Sequence, residues 1–130
     1  MVGLYIYSSA GTRPFWIGPD SIDWSMTTLL PAILRSLGQR GWQIGQQPLI
    51  GIVQAFGGAK ANTGTSWLTP RPQDIEAQSK SFCAHGASGL AFYGWDDSTF
   101  GPDTQTPMNS RAIQAGIRRA IQACQQYWHT

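Results

Sequence analysis

Three short apolar runs, each followed by a long loop and an amphipathic helix, predict an α/β protein built from three parallel strand–helix units. The runs show no polar alternation, so both of their faces need cover, which is the mark of a parallel strand. Between successive runs lies a helical stripe of the kind that a parallel crossover requires. The stretch from His85 to Asp97 displays this logic most clearly. A helix stops at His85-Gly86, a small-residue hinge follows, and the apolar run Leu90 to Trp95 ends in two carboxylates, Asp96 and Asp97.

The bulk composition bounds the answer. At 130 residues the chain suits one domain, residues 1–130, with a modest core. Hydrophobic residues make up 42% and charged ones only 12%, so neither disorder nor a fibrous class is indicated. A formal net charge of +2, with scattered basic residues, argues against nucleic acid or an anionic membrane as partner. No basic-plus-apolar leader is read at the N-terminus, and no apolar run approaches the roughly 20 residues of a membrane span. Compartment is left open. Six tryptophans are many for this length and imply either packing or an aromatic ligand platform.

In order along the chain, Val2 to Tyr7 is the first expected strand, ending at Ser8-Ser9-Ala10-Gly11. Thr12 to Ser25 is a long irregular loop holding Phe15, Trp16 and Trp24. Met26, Leu29, Leu30, Ile33, Leu34 and Leu37 then form one helical stripe. Pro31 cannot sit mid-helix, so the helix begins near Thr28, or begins near Ser25 and kinks. Gly38 or Gly41 stops it.

Leu49 to Phe56 is the cleanest strand, polar only at Gln54. After the loop Gly57 to Leu68, Thr69 is the expected N-cap, with Pro70 at the first position of a helix. Ile75, Ser79, Phe82 and Cys83 form the narrow inner face of that helix, and His85 lies in its last turn. The third strand, Leu90 to Trp95, is followed by a loop from Phe100 to Met108. Asn109 or Ser110 caps a final helix with Ile113, Ile117, Ala120, Ile121 and Cys124 inward. Cys83 and Cys124 are expected as free core thiols, because their spacing matches neither a disulfide framework nor a metal motif.

Parallel strands share one carboxyl-end rim, where ligands of α/β folds sit. That rim collects Tyr7, Gln54, Phe56, Tyr93, Trp95, Asp96 and Asp97, and the loops bring Trp16 and Trp67 to the same side. Aromatic faces beside carboxylates and an amide suit a sugar, whose C–H faces stack and whose hydroxyls take planar bidentate partners. The candidate ligand-binding residues are therefore Tyr7, Gln54, Trp67, Tyr93, Trp95, Asp96 and Asp97. The competing reading has the aromatics packing the strand ends and the two aspartates capping a turn.

Two-carboxylate hydrolysis needs its pair facing across a bond, roughly 5 to 9.5 Å apart. Asp96 and Asp97 are neighbours on a strand end, so their side chains diverge. Glu76 falls on an outer helix, Asp103 sits in a turn, and neither His85 nor His129 has a triad partner. Gly57-Gly58 lacks the spacing of a phosphate loop, so no cofactor and no metal are expected.

Leu49 to Gly57 (LIGIVQAFG), Trp67-Leu68-Thr69-Pro70 opening a helix, and His85 to Asp97 (HGASGLAFYGWDD) together resemble the C-terminal part of a glycoside-hydrolase-like (β/α)8 TIM barrel. In such barrels a helix starting at Thr-Pro leads to a His-Gly-Ala turn, and the last strand ends in aromatic-x-Trp. Val2 to Tyr7 would match the strand two before it. The resemblance implies a partial barrel of three βα units. The clan's acid/base comes from a fourth strand with no counterpart here. Its nucleophile, a glutamate ending the seventh strand, is replaced by Gln54-Ala55-Phe56. The catalytic residues are therefore unknown, and hydrolysis by the chain alone is not expected. A three-strand fragment would leave open edges and a bare inner face, so a homo-oligomer, with a dimer favoured, is expected to complete it. The expected function is self-association with non-catalytic carbohydrate binding. The alternatives are a glycosidase cleft rebuilt between subunits and a fold fragment with a structural role only.

Overall fold

The computed structural model describes residues 1–6, 25–58, 68–94 and 103–128, and the backbone alone at 10–11 and 66–67. The class is α/β. Strands β1 (Val2–Tyr5), β3 (Leu49–Gln54) and β5 (Gly89–Tyr93) form one open sheet in the order β1-β3-β5, with both pairings parallel. Val2 aligns with Leu49, and Ile50 with Gly89, through to Gln54 opposite Tyr93. Two short strands, β2 (Ala10–Gly11) and β4 (Ser66–Trp67), pair antiparallel inside stretches expected to be loops.

Helix α1 (Leu30–Gln39) continues from a π-helical turn over Ser25–Leu29. The expected start near Thr28 and the expected start near Ser25 are thus both partly met. Pro31 brings no N–H and its ring crowds the carbonyl four residues back, so regular α geometry begins only after the wider turn. The helix stops where Gly41 takes φ +93° and the Trp42 amide donates back to the Leu37 carbonyl at 3.1 Å.

Helix α2 (Pro72–Ala84) starts later than Thr69-Pro70 led us to expect. A residue before proline is driven out of the α region, and here both Thr69 and Arg71 precede prolines. Arg71, at φ −74° and ψ 160°, is the N-cap, and Pro72 takes the first helical positions. Asp74 closes the start by accepting from the Arg71 amide at 2.9 Å and from its guanidinium at 2.8 and 2.9 Å. Helix α3 (Arg111–Trp128) is capped as expected by Ser110, whose Oγ accepts from the Ile113 amide at 3.3 Å.

All the helices pack on one face of the sheet in a single core. Leu49, Val53 and Ala55 of the central strand meet Leu30, Ile75, Phe82, Ile113 and Ala120, with Val2, Leu4, Leu90 and Phe92 at the margins. Gly51 lies on this face because Phe82 does: a β-carbon there would stand 2.5 Å from Phe82 Cγ. The opposite face carries Gly3, Tyr5, Ile50, Ile52, Gly89, Ala91 and Tyr93 by strand alternation. Ile52 leans over Gly3 and Ile50 over Gly89. No described helix covers this face; at its carboxyl end Gln54 is buried under the segments at Phe56 and Leu68, while Tyr5 and Tyr93 are 62% and 42% exposed.

The cysteine expectation is corrected. Cys83 and Cys124 are bonded as a disulfide, with Cα atoms 5.7 Å apart, between α2 and α3. The two helices are adjacent on the same sheet face, and their buried sides meet. Pairing across 41 residues follows from that topology and could not be read from spacing. No described helix is long and apolar enough to cross a membrane.

Candidate functional site

Parallel pairing brings the carboxyl ends of β1, β3 and β5 to one rim, where the candidate residues were expected. Backbone pairing organises that rim. Gly57, after β3, exchanges two hydrogen bonds with Gln105, at 3.0 and 2.8 Å, tying the loop after β3 to the loop after β5. Gly57 also lies against Thr69: an added β-carbon would sit 2.4 Å from Thr69 Cα, so only glycine allows the approach. Asn109 secures the second loop, donating from Nδ2 to the Thr104 carbonyl at 2.9 Å and accepting from the Thr106 amide at 2.8 Å.

Gln54 is fully buried beneath this rim. Its Nε2 donates to the carbonyls of Phe56 and Leu68, at 3.0 and 3.2 Å. In this arrangement Gln54 fixes the course of two rim segments from below. The adjacent polar residue at the end of the cleanest strand thus has a bonded role that its sequence position left open. Tyr93 lies opposite Gln54 in register and packs edge-to-face on Phe56, with ring centroids 5.5 Å apart at 78°. Phe56 is buried while Tyr93 keeps 42% of its surface exposed, so the tyrosine is the aromatic wall of the rim and the phenylalanine its support. The peptide bond from Tyr93 to Gly94 is cis.

Tyr7, Trp95, Asp96 and Asp97 lie outside the described residues, as does the Trp67 side chain, although the Trp67 backbone, in β4, pairs with Ala10 of β2. The structure therefore brings together Gln54 and Tyr93 of the seven candidates, with Phe56 between them. Of the described carboxylates, Asp74 and Glu76 belong to the start of α2 and are paired with Arg71 and Arg119. Burial pushes the Asp74 carboxyl up, but the Arg71 guanidinium and amide hydrogen bonds and its positive charge together outweigh this and hold it below the usual carboxylate range. Asp103 is exposed, and its carbonyl approaches Gly58 at the rim. Among the described residues no cluster of His, Cys, Asp or Glu could hold a metal ion.

Sequence reasoning missed a second concave feature at the opposite, amino-terminal end of the sheet. A groove of about 660 Å³ lies there between the end of α1 and the end of α2. Its walls include Leu34, Arg35, Trp42, Ile44 and His85. The signal available was the glycine after each helix, Gly41 and Gly86, both with positive φ. No protein-family model matches the chain, and no curated protein or solved structure matches it either.

Proposed function

We propose that the chain is a partial TIM-barrel-like, carbohydrate-binding domain that self-associates and does not hydrolyse its ligand. The observation that carries the reading is the half-exposed Tyr93 ring braced on Phe56 at the carboxyl end of a parallel sheet. A rigid aromatic face at this position is what the C–H face of a sugar stacks on. The resemblance of residues 49–57 and 85–97 to the end of a glycoside-hydrolase-like barrel supports the same ligand class. Gln54 supports the ligand indirectly, by holding the segments at Phe56 and Leu68 in place.

Self-association is supported by the sheet face that no described helix covers and by the edges of β1 and β5, each paired on one side only among the described strands of the sheet. Ile50, Ile52, Ala91, Tyr5 and Tyr93 give that face no charged side chain. Three strands of about five residues span roughly 250 Å² at ordinary strand spacing and rise. A standard interface buries about 800 Å² per partner, so this face alone gives a weak dimer and edge pairing must contribute. Light scattering should show the mass rising from 14.2 kDa toward twice that value with concentration. Ala91→Asp, at an exposed position of the face, should hold it at the monomer mass.

The ligand reading is tested by isothermal titration with β-glucan, N-acetylglucosamine and mannan oligosaccharides. Saturable binding by one class, lost in Tyr93→Ala, is expected. Hydrolysis of any of them, abolished in Asp96→Asn and Asp97→Asn, would instead favour a cleft rebuilt between subunits. No binding at all would leave a structural fragment.

A further inference from the structure

We propose that the groove at the amino-terminal end of the sheet binds a small amphipathic carboxylate, an apolar chain or ring system bearing one anionic group. The groove is formed where two helices end side by side. Its volume of about 660 Å³ falls within the range of small-molecule sites, about 300–1,000 Å³. Pro31, Leu34, Trp42, Ile44 and Ala84 make most of the wall apolar. Gly86 makes the floor possible: at φ +92°, with a virtual β-carbon 2.6 Å from Ile44 Cδ1, it is the residue type that lets Ile44 lie against the backbone. Ile44 is nevertheless 51% exposed, so the groove presents apolar surface to solvent.

The one charged side chain described in the groove is a cation. Arg35 is exposed on α1 and has no ion-pair partner among the described residues. His85 contacts the Ser81 carbonyl through Nδ1 at 2.8 Å, which leaves Nε2 for another partner. No described carboxylate lines the groove. Among the carbonyls that end the two helices, those of Leu37 and Gly38 are met by the amides of Arg40, Gly41 and Trp42, and those of Ser81, Phe82 and Cys83 by the amides of His85, Gly86 and Ala87. They therefore oppose an incoming anion less than open helix ends would.

A second observation points the same way. Trp42 Nε1 is buried and donates to no acceptor. An unmet buried donor is costly, and buried polar groups are as a rule satisfied by protein, water or ligand. A carboxylate drawn to the Arg35 guanidinium would supply the missing acceptor once the indole turns its Nε1, now buried, toward the groove that Trp42 lines, while the apolar part lies on Leu34 and Ile44. This site is at the other end of the sheet from Tyr93, so its failure would leave the proposed carbohydrate rim untouched.

The test uses the full chain and sodium decanoate below its micelle concentration. Isothermal titration should give saturable one-to-one binding, and uncharged 1-decanol should bind about tenfold more weakly. Arg35→Gln, an exposed helical substitution, should weaken decanoate about tenfold and leave decanol unchanged. In nitrogen-edited NMR the indole proton assigned through its loss in Trp42→Phe should move on decanoate addition. Absence of one-to-one binding, equal affinity for decanoate and decanol, or a Trp42 indole proton that stays in place would each overturn the proposal.

Discussion

Cys83 on α2 and Cys124 on α3 are joined by a disulfide that closes a 41-residue separation and spans the whole unit of strand β5. The cross-link ties the middle helix to the last one on the helical side of the sheet. Chain-entropy arguments assign a loop of this length about 4 kcal/mol, less any strain. Reduction, or Cys83→Ser with Cys124→Ser, should lower the thermal midpoint by roughly 10 °C or more. A reductant-insensitive melting curve would contradict the pairing. A disulfide of this kind also fits maturation in an oxidising compartment.

Gly51 of β3 lies closely against Phe82 of α2. The virtual β-carbon at Gly51 lies 2.5 Å from Phe82 Cγ and 2.9 Å from its Cβ. Gly51→Ala should therefore cost about 1–3 kcal/mol by overpacking. Combining it with Phe82→Leu should cost less than the two single changes added together, because the leucine vacates the ring position. Urea denaturation of the four proteins checks this, and strict additivity would show that the contact is not as close as described.

Gln78 is fully buried on α2, and neither its Oε1 nor its Nε2 has a hydrogen-bond partner. A buried amide left unmet costs stability that an apolar side chain of similar shape does not. Gln78→Met should thus stabilise the protein by about 1 kcal/mol, seen as a raised denaturant midpoint with an unchanged slope. A destabilised variant would mean that the amide is bonded in solution.

Asp74 anchors the start of α2, and its folded pKa lies below the ordinary value of 3.8. A depressed carboxylate contributes stability above its unfolded pKa and loses it as the pH falls through the folded value. Asp74→Asn should cost about 1 kcal/mol near neutral pH, and the gap to the parent should close as both are acidified below the carboxylate range. A difference that persists unchanged in strong acid would assign the effect to something other than ionisation.

The residues that were legible in sequence are those whose role is local. The β-type apolar runs at Leu4, Ile52 and Phe92 and the inward stripes of α1 and α3 needed only periodicity, and Ser110 needed only its place before the stripe. The start of α2 was misplaced because two Pro residues in alternation compete, and the second, Pro72, wins by pushing Arg71 into extended geometry. The disulfide was missed because it depends on which helices become neighbours. At the rim, sequence grouped Gln54 with Tyr93 correctly in space, through strand register. It could not say that Gln54 faces inward onto Phe56 and Leu68, since that depends on where the loops return.

Gln54 also supplies a test of how the rim is built. Gln54→Leu removes the donor to two carbonyls in a fully buried position and should cost about 1–3 kcal/mol. Because the Phe56 segment then loses its anchor, oligosaccharide binding should weaken even in protein that remains folded. A stable variant with unaltered binding would remove Gln54 from the account.

The most direct test of the carbohydrate-facing rim is amide shift mapping of the labelled protein during an oligosaccharide titration. The proposal expects saturable shifts centred on Phe56, Gly57, Tyr93 and Gly94, at the carboxyl ends of β3 and β5. Shifts confined to the amino-terminal end of the sheet, or none with any glycan, would contradict it.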